Sequence, residues 1–390
     1  MLLKGHVGGR CAWLAKIRVA PSTRLPRSAG SLKTPVGSWL TSYKRPVLPK
    51  ANLRTNIQQF RRTVLTDAIP GVLVPPLVFI GLVLALWTYK CFMMVLFQDK
   101  IIYMPYVPPF TRGEKIEDYA LHCRPVEWHE KCIRSLDGTR ISLCIGRMPH
   151  DAATERQVTV CYFHGNGGSI PPRLPALSQM LKLLHAKETG DVQYTLVALS
   201  YRGYWTSSGR ASQSGIELDA QALLKYVAEE MTSPGQTAEL VLWGQSIGAG
   251  VAITAAAKFL SEIGEWSRRA HLLGLIMETP FTSIKSMLSA LYPQKWLPYR
   301  YLHPFLWNHW DSEKALRSLA RLQARPAVLL MPATRDEIVP PGEVAKLEQA
   351  CKDLHLAYQR IDVKGALHNE AASRREGQEG VVAFVRQVAR

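Results

Sequence analysis

Residues 240–250 of the chain read Leu-Val-Leu-Trp-Gly-Gln-Ser-Ile-Gly-Ala-Gly, an apolar run that leads into a serine flanked by glycines. The run 240–243 has the composition of a buried strand, and the small-residue segment 251–260 has that of an apolar helix. Between them, residues 244–248 fit the pattern G-x-S-x-G, in which a sharp turn from strand to helix exposes a serine hydroxyl. Because five residues can match by chance, the pattern needs support from the rest of the chain.

Strand-like and helix-like runs alternate from about residue 120 onwards. Residues 126–134 and 139–147 alternate apolar and polar side chains around Asp137-Gly138, which predicts an antiparallel hairpin. Apolar residues recur at helical spacing in residues 216–230. A hairpin followed by this alternation predicts an α/β fold, with a mostly parallel sheet covered by helices on both faces. The further predicted strands are residues 158–163, 196–200, 240–243, 272–277, 328–331 and 358–363.

The chain beyond Ser246 supplies an acid and a histidine in the order that this serine pattern requires. Asp336 follows the apolar run 327–333, and His368 lies in the loop after the last predicted strand. Glu337, next to Asp336, and Glu278, after the preceding strand, are the alternative acids. We therefore predict that Ser246, Asp336 and His368 meet at one edge of the sheet.

Nucleophilic chemistry assigns a role to each of these residues. A serine hydroxyl is a weak nucleophile at neutral pH, so His368 must take its proton while Asp336 orients and stabilises the imidazole. The oxyanion that forms needs hydrogen-bond donors, each worth about 3 kcal/mol in comparable sites. The backbone N–H groups of Ile247 and Asn166 are the predicted donors. His164, which lies near Asn166 in the glycine-rich segment 164–168, is predicted to be structural.

Positive charge is concentrated at the start of the chain. The net charge is +17, yet thirteen of the 48 Lys and Arg residues lie in residues 1–66, where no acidic residue occurs. In the rest of the chain the numbers of basic and acidic residues are nearly equal, so we do not expect nucleic acid as a partner. Residues 1–66 also contain eleven Ser or Thr, a composition typical of a mitochondrial presequence. A disordered basic cytosolic tail is the alternative.

A long uncharged stretch follows the basic segment. Residues 68–89 contain no charged side chain, and apolar residues continue after Lys90. As a helix, this stretch would be about 33 Å long, against a hydrocarbon core of about 30 Å. Because three prolines interrupt its start, we place the membrane helix at residues 77–97, with a buried core helix as the alternative. The predicted organisation is a tail at 1–66, a transmembrane anchor at 67–97 and a catalytic domain at 98–390.

These features predict a single-pass membrane protein. A mitochondrial membrane is favoured by the acid-free basic segment 1–66, and the endoplasmic reticulum or another endomembrane is the alternative. Seven cysteines show no C-x-x-C spacing, so neither a disulfide framework nor a zinc site is predicted.

On these residues the sequence resembles the alpha/beta-hydrolase superfamily, and more closely its membrane-anchored serine hydrolases related to the fungal bud-emergence protein group. The resemblance implies hydrolysis of carboxylic esters or thioesters, often on lipids, with no metal and no organic cofactor. The sequence departs from the family pattern at Ser200, Trp205, Ala333 and the pair Ala366-Leu367, and these differences leave the substrate preference open. The stretches that carry it are residues 97–105, 201–204, 278–283 and 336–340, besides the serine pentapeptide.

An aromatic-rich cap is expected at about residues 281–312, where hydrolases of this fold carry one. Its aromatics suit an acyl-chain pocket or a membrane interface, and a buried cap core is the alternative. The predicted substrate is therefore a membrane lipid or acylated molecule, such as a monoacylglycerol or a lysophospholipid. A protein acyl-thioesterase and a catalytically silent binding module are the other hypotheses. The cap aromatics are Tyr292, Trp296, Tyr299, Tyr301, Phe305, Trp307 and Trp310.

Overall fold

A computed structural model of the chain describes residues 70–149, 156–186, 192–233, 235–261, 268–323 and 325–390. Val72–Arg390 forms one unit of this structure. The segment 1–66, and with it the predicted mitochondrial address, lies outside the described residues.

An eight-stranded sheet organises the folded domain, in the order β1-β2-β4-β3-β5-β6-β7-β8. Strand β2 runs antiparallel to both β1 and β4, and the other neighbours are parallel. This arrangement confirms the predicted hairpin and the predicted mostly parallel sheet. The strands are β1 (Glu127–Arg134), β2 (Arg140–Arg147), β3 (Arg156–Phe163), β4 (Val192–Ser200), β5 (Ala238–Gln245), β6 (Ala270–Glu278), β7 (Ala327–Met331) and β8 (Tyr358–Arg360).

The last strand is shorter than predicted. Its regular pairing with β7 ends at Arg360, whereas the apolar pattern predicted a strand to residue 363. Val363 makes only an isolated parallel bridge to Ala333. The chain therefore leaves the sheet before the loop that carries His368.

Helices cover both faces of the sheet. One apolar core lies between the sheet and α5, α6 and α8, and the other lies between the sheet and α4 and α10. The two cores explain why the central strands are almost continuously apolar. The helices are α1 (Val74–Leu96), α2 (Gln98–Tyr103), α3 (Ala120–Cys123), α4 (Leu174–His185), α5 (Gln213–Glu230), α6 (Ile247–Ser261), α7 (Ile284–Leu291), α8 (Ser312–Ala320), α9 (Pro341–Asp353) and α10 (Arg375–Val388).

Helix α1 begins earlier than the prolines suggested. The prediction placed its start at residue 77, but α1 starts at Val74 and holds Pro75 and Pro76 in its first turn. Proline is tolerated there because the first helical N–H groups have no partner within the helix. With a short 3₁₀ turn before it, the apolar segment Gly71–Leu96 is long enough to cross a membrane, and its most apolar window is wholly unburied. The alternative of a buried core helix is therefore wrong.

The cap lies between β6 and β7. It contains α7 and two short 3₁₀ turns, Pro298–Tyr301 and His303–Phe305, before α8 returns the chain to the sheet. Its base is joined to the segment after α1 by a buried contact, in which the Tyr103 hydroxyl donates to Asn308 Oδ1 at 2.7 Å. The cap and the end of α1 consequently lie next to each other above the sheet.

Candidate active site

Ser246 occupies the corner between β5 and α6. Its φ of 55° is a left-handed conformation that is strained for a residue with a side chain. Two glycines make the corner possible: a Cβ at Gly244 would lie 2.1 Å from the Gly248 carbonyl oxygen, and a Cβ at Gly248 would lie 2.0 Å from the Phe163 oxygen. The G-x-S-x-G pattern thus corresponds to the sharp turn that it predicted. The turn directs the Ser246 hydroxyl away from the sheet.

The structure brings the predicted serine, histidine and aspartate into direct contact. His368 Nε2 lies 2.8 Å from Ser246 Oγ, and His368 Nδ1 lies 2.8 Å from Asp336 Oδ2. His368 is almost completely buried, and Asp336 follows β7 at the same edge of the sheet. With the Nδ1 proton donated to Asp336, the Nε2 lone pair is free to accept the serine proton.

Asp336 is held in its ionised form. Burial alone would raise the pKa of its carboxyl, but the hydrogen bond from His368 and those from the Val339 and Ile338 N–H groups lower the pKa below its usual value. The Val339 and Ile338 nitrogens lie 2.7 and 2.9 Å from Oδ1. The turn after β7 thus fixes the carboxylate in place before it meets the imidazole.

Neither alternative acid contacts the His368 ring. Glu337 accepts the backbone N–H of His368 at 3.0 Å. Glu278 is buried beneath the site, where it accepts the Trp243 indole N–H and the Ala372 N–H, each at 3.0 Å, and burial raises the pKa of its carboxyl. Both glutamates therefore support the loops around the histidine, and Asp336 is the acid that lies against it.

The two predicted oxyanion-hole residues lie on either side of Ser246. Ile247 begins α6, Asn166 lies in the loop after β3, and both line the cavity that contains Ser246. The same loop is tied to the segment after α1, because the Gly167 and Gly168 N–H groups donate to the Tyr103 and Val107 carbonyls. Donation of the Ile247 and Asn166 N–H groups to an oxyanion remains a prediction.

A polar network beneath the serine was not anticipated from the sequence. Arg173 donates to Gln245 Oε1 at 2.7 Å, and the Tyr162 hydroxyl donates to the same oxygen at 3.1 Å. Arg173 also donates to the Gly167 carbonyl at 3.3 Å. This arginine links the strand before Ser246 to the Asn166 loop. No sequence pattern predicted this role of Arg173, because its partners lie 6 and 72 residues away along the chain.

His164 is a buried structural residue, as predicted. Its Nδ1 lies 2.6 Å from the Gly165 oxygen, and its ring packs against Tyr201 and Tyr204, with centroid separations of 4.2 and 4.8 Å. Burial, with a smaller contribution from Arg173, lowers its pKa to about 3. The imidazole is therefore neutral at physiological pH.

A cavity of about 240 Å³ opens beside Ser246 and His368. The sheet edge forms one wall, the cap forms a second, and the end of α1 together with α2 forms a third. Apart from the catalytic candidates, polar side chains are few and the lining is mainly aliphatic. The apolar side chains of the second and third walls include Met94, Val95, Ile101, Ile102, Ile284, Met287, Leu288, Leu291, Leu302 and Leu306.

The seven cap aromatics divide among the three predicted locations, which were an acyl pocket, a membrane interface and a buried cap core. Of the seven, Tyr292 lines the cavity. Trp310 belongs to the buried core, where its indole N–H donates to the Tyr103 hydroxyl at 2.9 Å. The two 3₁₀ turns carry the middle of the cap outward, along α1. The aromatics that lie largely exposed there are Trp296, Tyr301, Phe305 and Trp307.

Among the described residues, no group of three or more His, Cys, Asp and Glu side chains could hold a metal ion.

Comparisons with known proteins agree with this architecture. No protein-family model matches the chain. Over 204 residues, or 52% of the chain, it is 31% identical to Protein bem46 of Schizosaccharomyces pombe, of which this region is 60%. Over 156 residues, or 40% of the chain, it is 29% identical to the lysophosphatidylserine lipase ABHD12 of Danio rerio, of which this region is 36%. The chain thus spans less than two thirds of both curated relatives.

A solved structure provides an independent comparison of the fold. An alpha-beta hydrolase from Vibrio vulnificus superposes with a TM-score of 0.55 at 17% identity, over 74% of this chain and 92% of that one. The sheet order and the strained serine corner agree with these similarities. The chain has the alpha/beta-hydrolase fold, and over about half of its length it is similar to bem46.

Proposed function

We propose that this protein is a membrane-anchored serine hydrolase that cleaves lipid acyl esters, such as those of monoacylglycerols or lysophospholipids, through an acyl-enzyme on Ser246. The observation that carries the proposal is the unbroken series of contacts from Asp336 through His368 to the Ser246 hydroxyl, at the floor of an aliphatic cavity. This is the arrangement that serine nucleophiles need for activation.

The reaction proceeds in two halves. Ser246 Oγ attacks the ester carbonyl carbon while His368 Nε2 takes the hydroxyl proton, and the backbone N–H groups of Ile247 and Asn166 stabilise the oxyanion. His368 then gives this proton to the leaving alcohol, and the acyl group stays on Ser246. In the second half, His368 removes a proton from water, the hydroxide attacks the acyl-enzyme, and the fatty acid leaves as Ser246 regains its proton.

The lining of the cavity supports a lipid substrate. Its cap and anchor walls are mainly aliphatic and carry no Lys, Arg, Asp or Glu, which suits an acyl chain better than a polar substrate. Two further observations support this proposal. One relative is named a lysophosphatidylserine lipase, and Gly71–Leu96 has the length and composition of a membrane span. In this proposal residues 67–97 anchor a catalytic domain at 98–390, and residues 1–66 address the protein to mitochondria.

The proposal is tested by labelling the full-length protein in detergent with a fluorophosphonate, which reacts with activated serines. We expect labelling and hydrolysis of a long-chain monoacylglycerol, and we expect Ser246→Ala to abolish both. Ser289→Ala is a matched control, because the Ser289 hydroxyl donates to the Lys285 carbonyl of its own helix and lies outside the cavity lining. Folded protein that takes no label would instead support a silent binding module. A kcat/KM that is higher for short soluble esters than for long-chain lipids would argue against the lipid assignment.

A further inference from the structure

An apolar groove of about 470 Å³ lies between α1 and the cap. One wall is a single face of α1 from Leu84 to Val95, and the other is formed by Pro298, Leu302 and Phe305. The α1 residues recur at intervals of three and four, as expected for one side of a helix. The part of the anchor that is packed against protein is therefore the side that borders this groove.

The groove adjoins the cavity that contains Ser246. Val95 and Leu302 line both spaces, so the two are separated by shared side chains. Aliphatic side chains also form most of the cavity on the far side of this pair. A hydrocarbon chain would thus meet apolar side chains from the middle of α1 to the serine.

The position of the groove along α1 places it at membrane depth. Leu84 and Val95 are eleven residues apart, or about 16 Å along a helix, and both lie within the span candidate Gly71–Leu96. The cap reaches this depth too, because the Trp296 ring lies 6.0 Å from that of Trp87, nine residues before the end of α1. If α1 crosses the bilayer, this part of the cap enters the same leaflet.

The outer face of the cap fits such a location. Trp296 is 67% exposed and Phe305 is 59% exposed, and Tyr301 and Trp307 are also exposed. Large exposed apolar surfaces mark interaction sites in soluble proteins, and tryptophan and tyrosine are enriched where proteins meet the membrane interface. Because Trp296 also contacts Trp87 within the span candidate, the bilayer is the surface expected to cover these side chains.

We propose that the groove receives the acyl chain of a lipid directly from the bilayer and leads it past Val95 and Leu302 to Ser246. The inference rests on the proposed esterase function and adds the route and the kind of substrate: an amphiphile whose chain stays in the hydrocarbon while its ester reaches the serine. Water-soluble esters, which have no long chain, reach Ser246 without the groove.

The test fills the groove without altering the cavity beside Ser246. Cys91 lines the groove and does not line that cavity, so Cys91→Trp should obstruct the acyl chain while leaving the catalytic residues in place. Leu86→Trp is the matched control, since Leu86 lies on the opposite side of α1 and is exposed. The full-length variants are reconstituted in phosphatidylcholine vesicles that contain a long-chain monoacylglycerol, and p-nitrophenyl acetate is the soluble substrate.

We expect Cys91→Trp to lower long-chain hydrolysis at least tenfold and to change p-nitrophenyl acetate hydrolysis less than twofold, with Leu86→Trp close to wild type on both. Thr88→Trp, one turn further along the groove, should repeat the pattern if Cys91→Trp folds poorly. Equal losses on both substrates, or unchanged long-chain hydrolysis, would contradict the proposed role of the groove. Wild-type protein that hydrolyses neither substrate would instead overturn the proposed function, and the groove inference with it.

Discussion

The two sides of the cavity beside Ser246 are built in opposite ways. At the sheet edge, hydrogen bonds and close backbone contacts fix the catalytic candidates, as in the turn that holds Asp336 Oδ1 with two N–H groups. On the side formed by the cap and α1, the walls are aliphatic side chains whose outer neighbours are exposed. Chemistry needs atoms placed to within fractions of an ångström, whereas an acyl chain needs only an apolar surface of suitable width. The first side should therefore tolerate almost no change, and the second should tolerate more.

Among changes at the sheet edge, the largest loss of activity is expected from Asp336→Asn. Because the Ile338 and Val339 N–H groups hold Oδ1, the new amide NH₂ would face His368 Nδ1, favour the wrong tautomer and provide no charge to stabilise the imidazolium. We therefore expect kcat to fall on the order of 10³- to 10⁴-fold with little change in folding. The measurement is kcat for a short-chain ester, together with the melting temperature. Glu337→Gln is the control, because Glu337 accepts only the backbone N–H of His368. A loss in Glu337→Gln as large as that in Asp336→Asn would contradict the assignment of the acid.

The next largest effect is expected at the serine corner, where a substitution tests how rigid the turn is. In Gly248→Ala, the new Cβ would be 2.0 Å from the Phe163 carbonyl oxygen, so β3 and α6 must separate. We expect a loss of about 3 kcal/mol or more in the free energy of unfolding, measured by urea denaturation. In Gly342→Ala the new Cβ meets nothing within 4 Å, and helix propensity should make that change neutral or stabilising. Similar unfolding curves for the two variants would show that the corner has room to adjust.

A smaller effect is expected where the cap is attached. The buried carboxylate of Glu343, in the first turn of α9, accepts hydrogen bonds from Thr282 and Ser286 in the cap and from Lys346 at 2.8 Å. Glu343→Gln places an amide NH₂ where an acceptor is needed, so the free energy of unfolding should fall by about 1 to 3 kcal/mol at pH 7. The change is measured by urea denaturation.

The pH dependence of this variant gives a second measurement. Burial alone would raise the pKa of Glu343, but its hydrogen bonds with Lys346, Ser286 and Thr282 lower the pKa below its usual value. A lowered pKa means that the stabilisation is present above about pH 4.3, the ordinary glutamate pKa, and is lost as the pH falls below it. The difference between wild type and Glu343→Gln should therefore narrow in acid. Glu313→Gln, which breaks an exposed ion pair with Arg317, should cost little at either pH.

Sequence patterns predicted the sheet edge better than they predicted the cap. The serine corner is local, since a strand, two glycines and a small-residue helix all lie within about twenty residues of Ser246. The acid was harder, because Asp336 and Glu337 are adjacent carboxylates in the sequence, and only the turn that points Asp336 Oδ1 at the Ile338 and Val339 N–H groups distinguishes them. For the cap aromatics, composition left a pocket, a membrane interface and a buried core all open, because composition does not say which way a segment faces.

The sequence by itself determined the alternation of strands and helices, the strained serine corner, the order of the nucleophile, acid and histidine, and the long apolar helix α1. These features depend on hydrophobic periodicity, glycine spacing and the order of residues along the chain. All three are visible in the sequence without knowledge of the packing. Only the tertiary structure decided which carboxylate meets His368, that Arg173 links the two loops beneath Ser246, and that α1 forms a wall of the cavity. Those contacts join residues up to about 200 positions apart, and their geometry depends on the packing of the whole sheet and its helices.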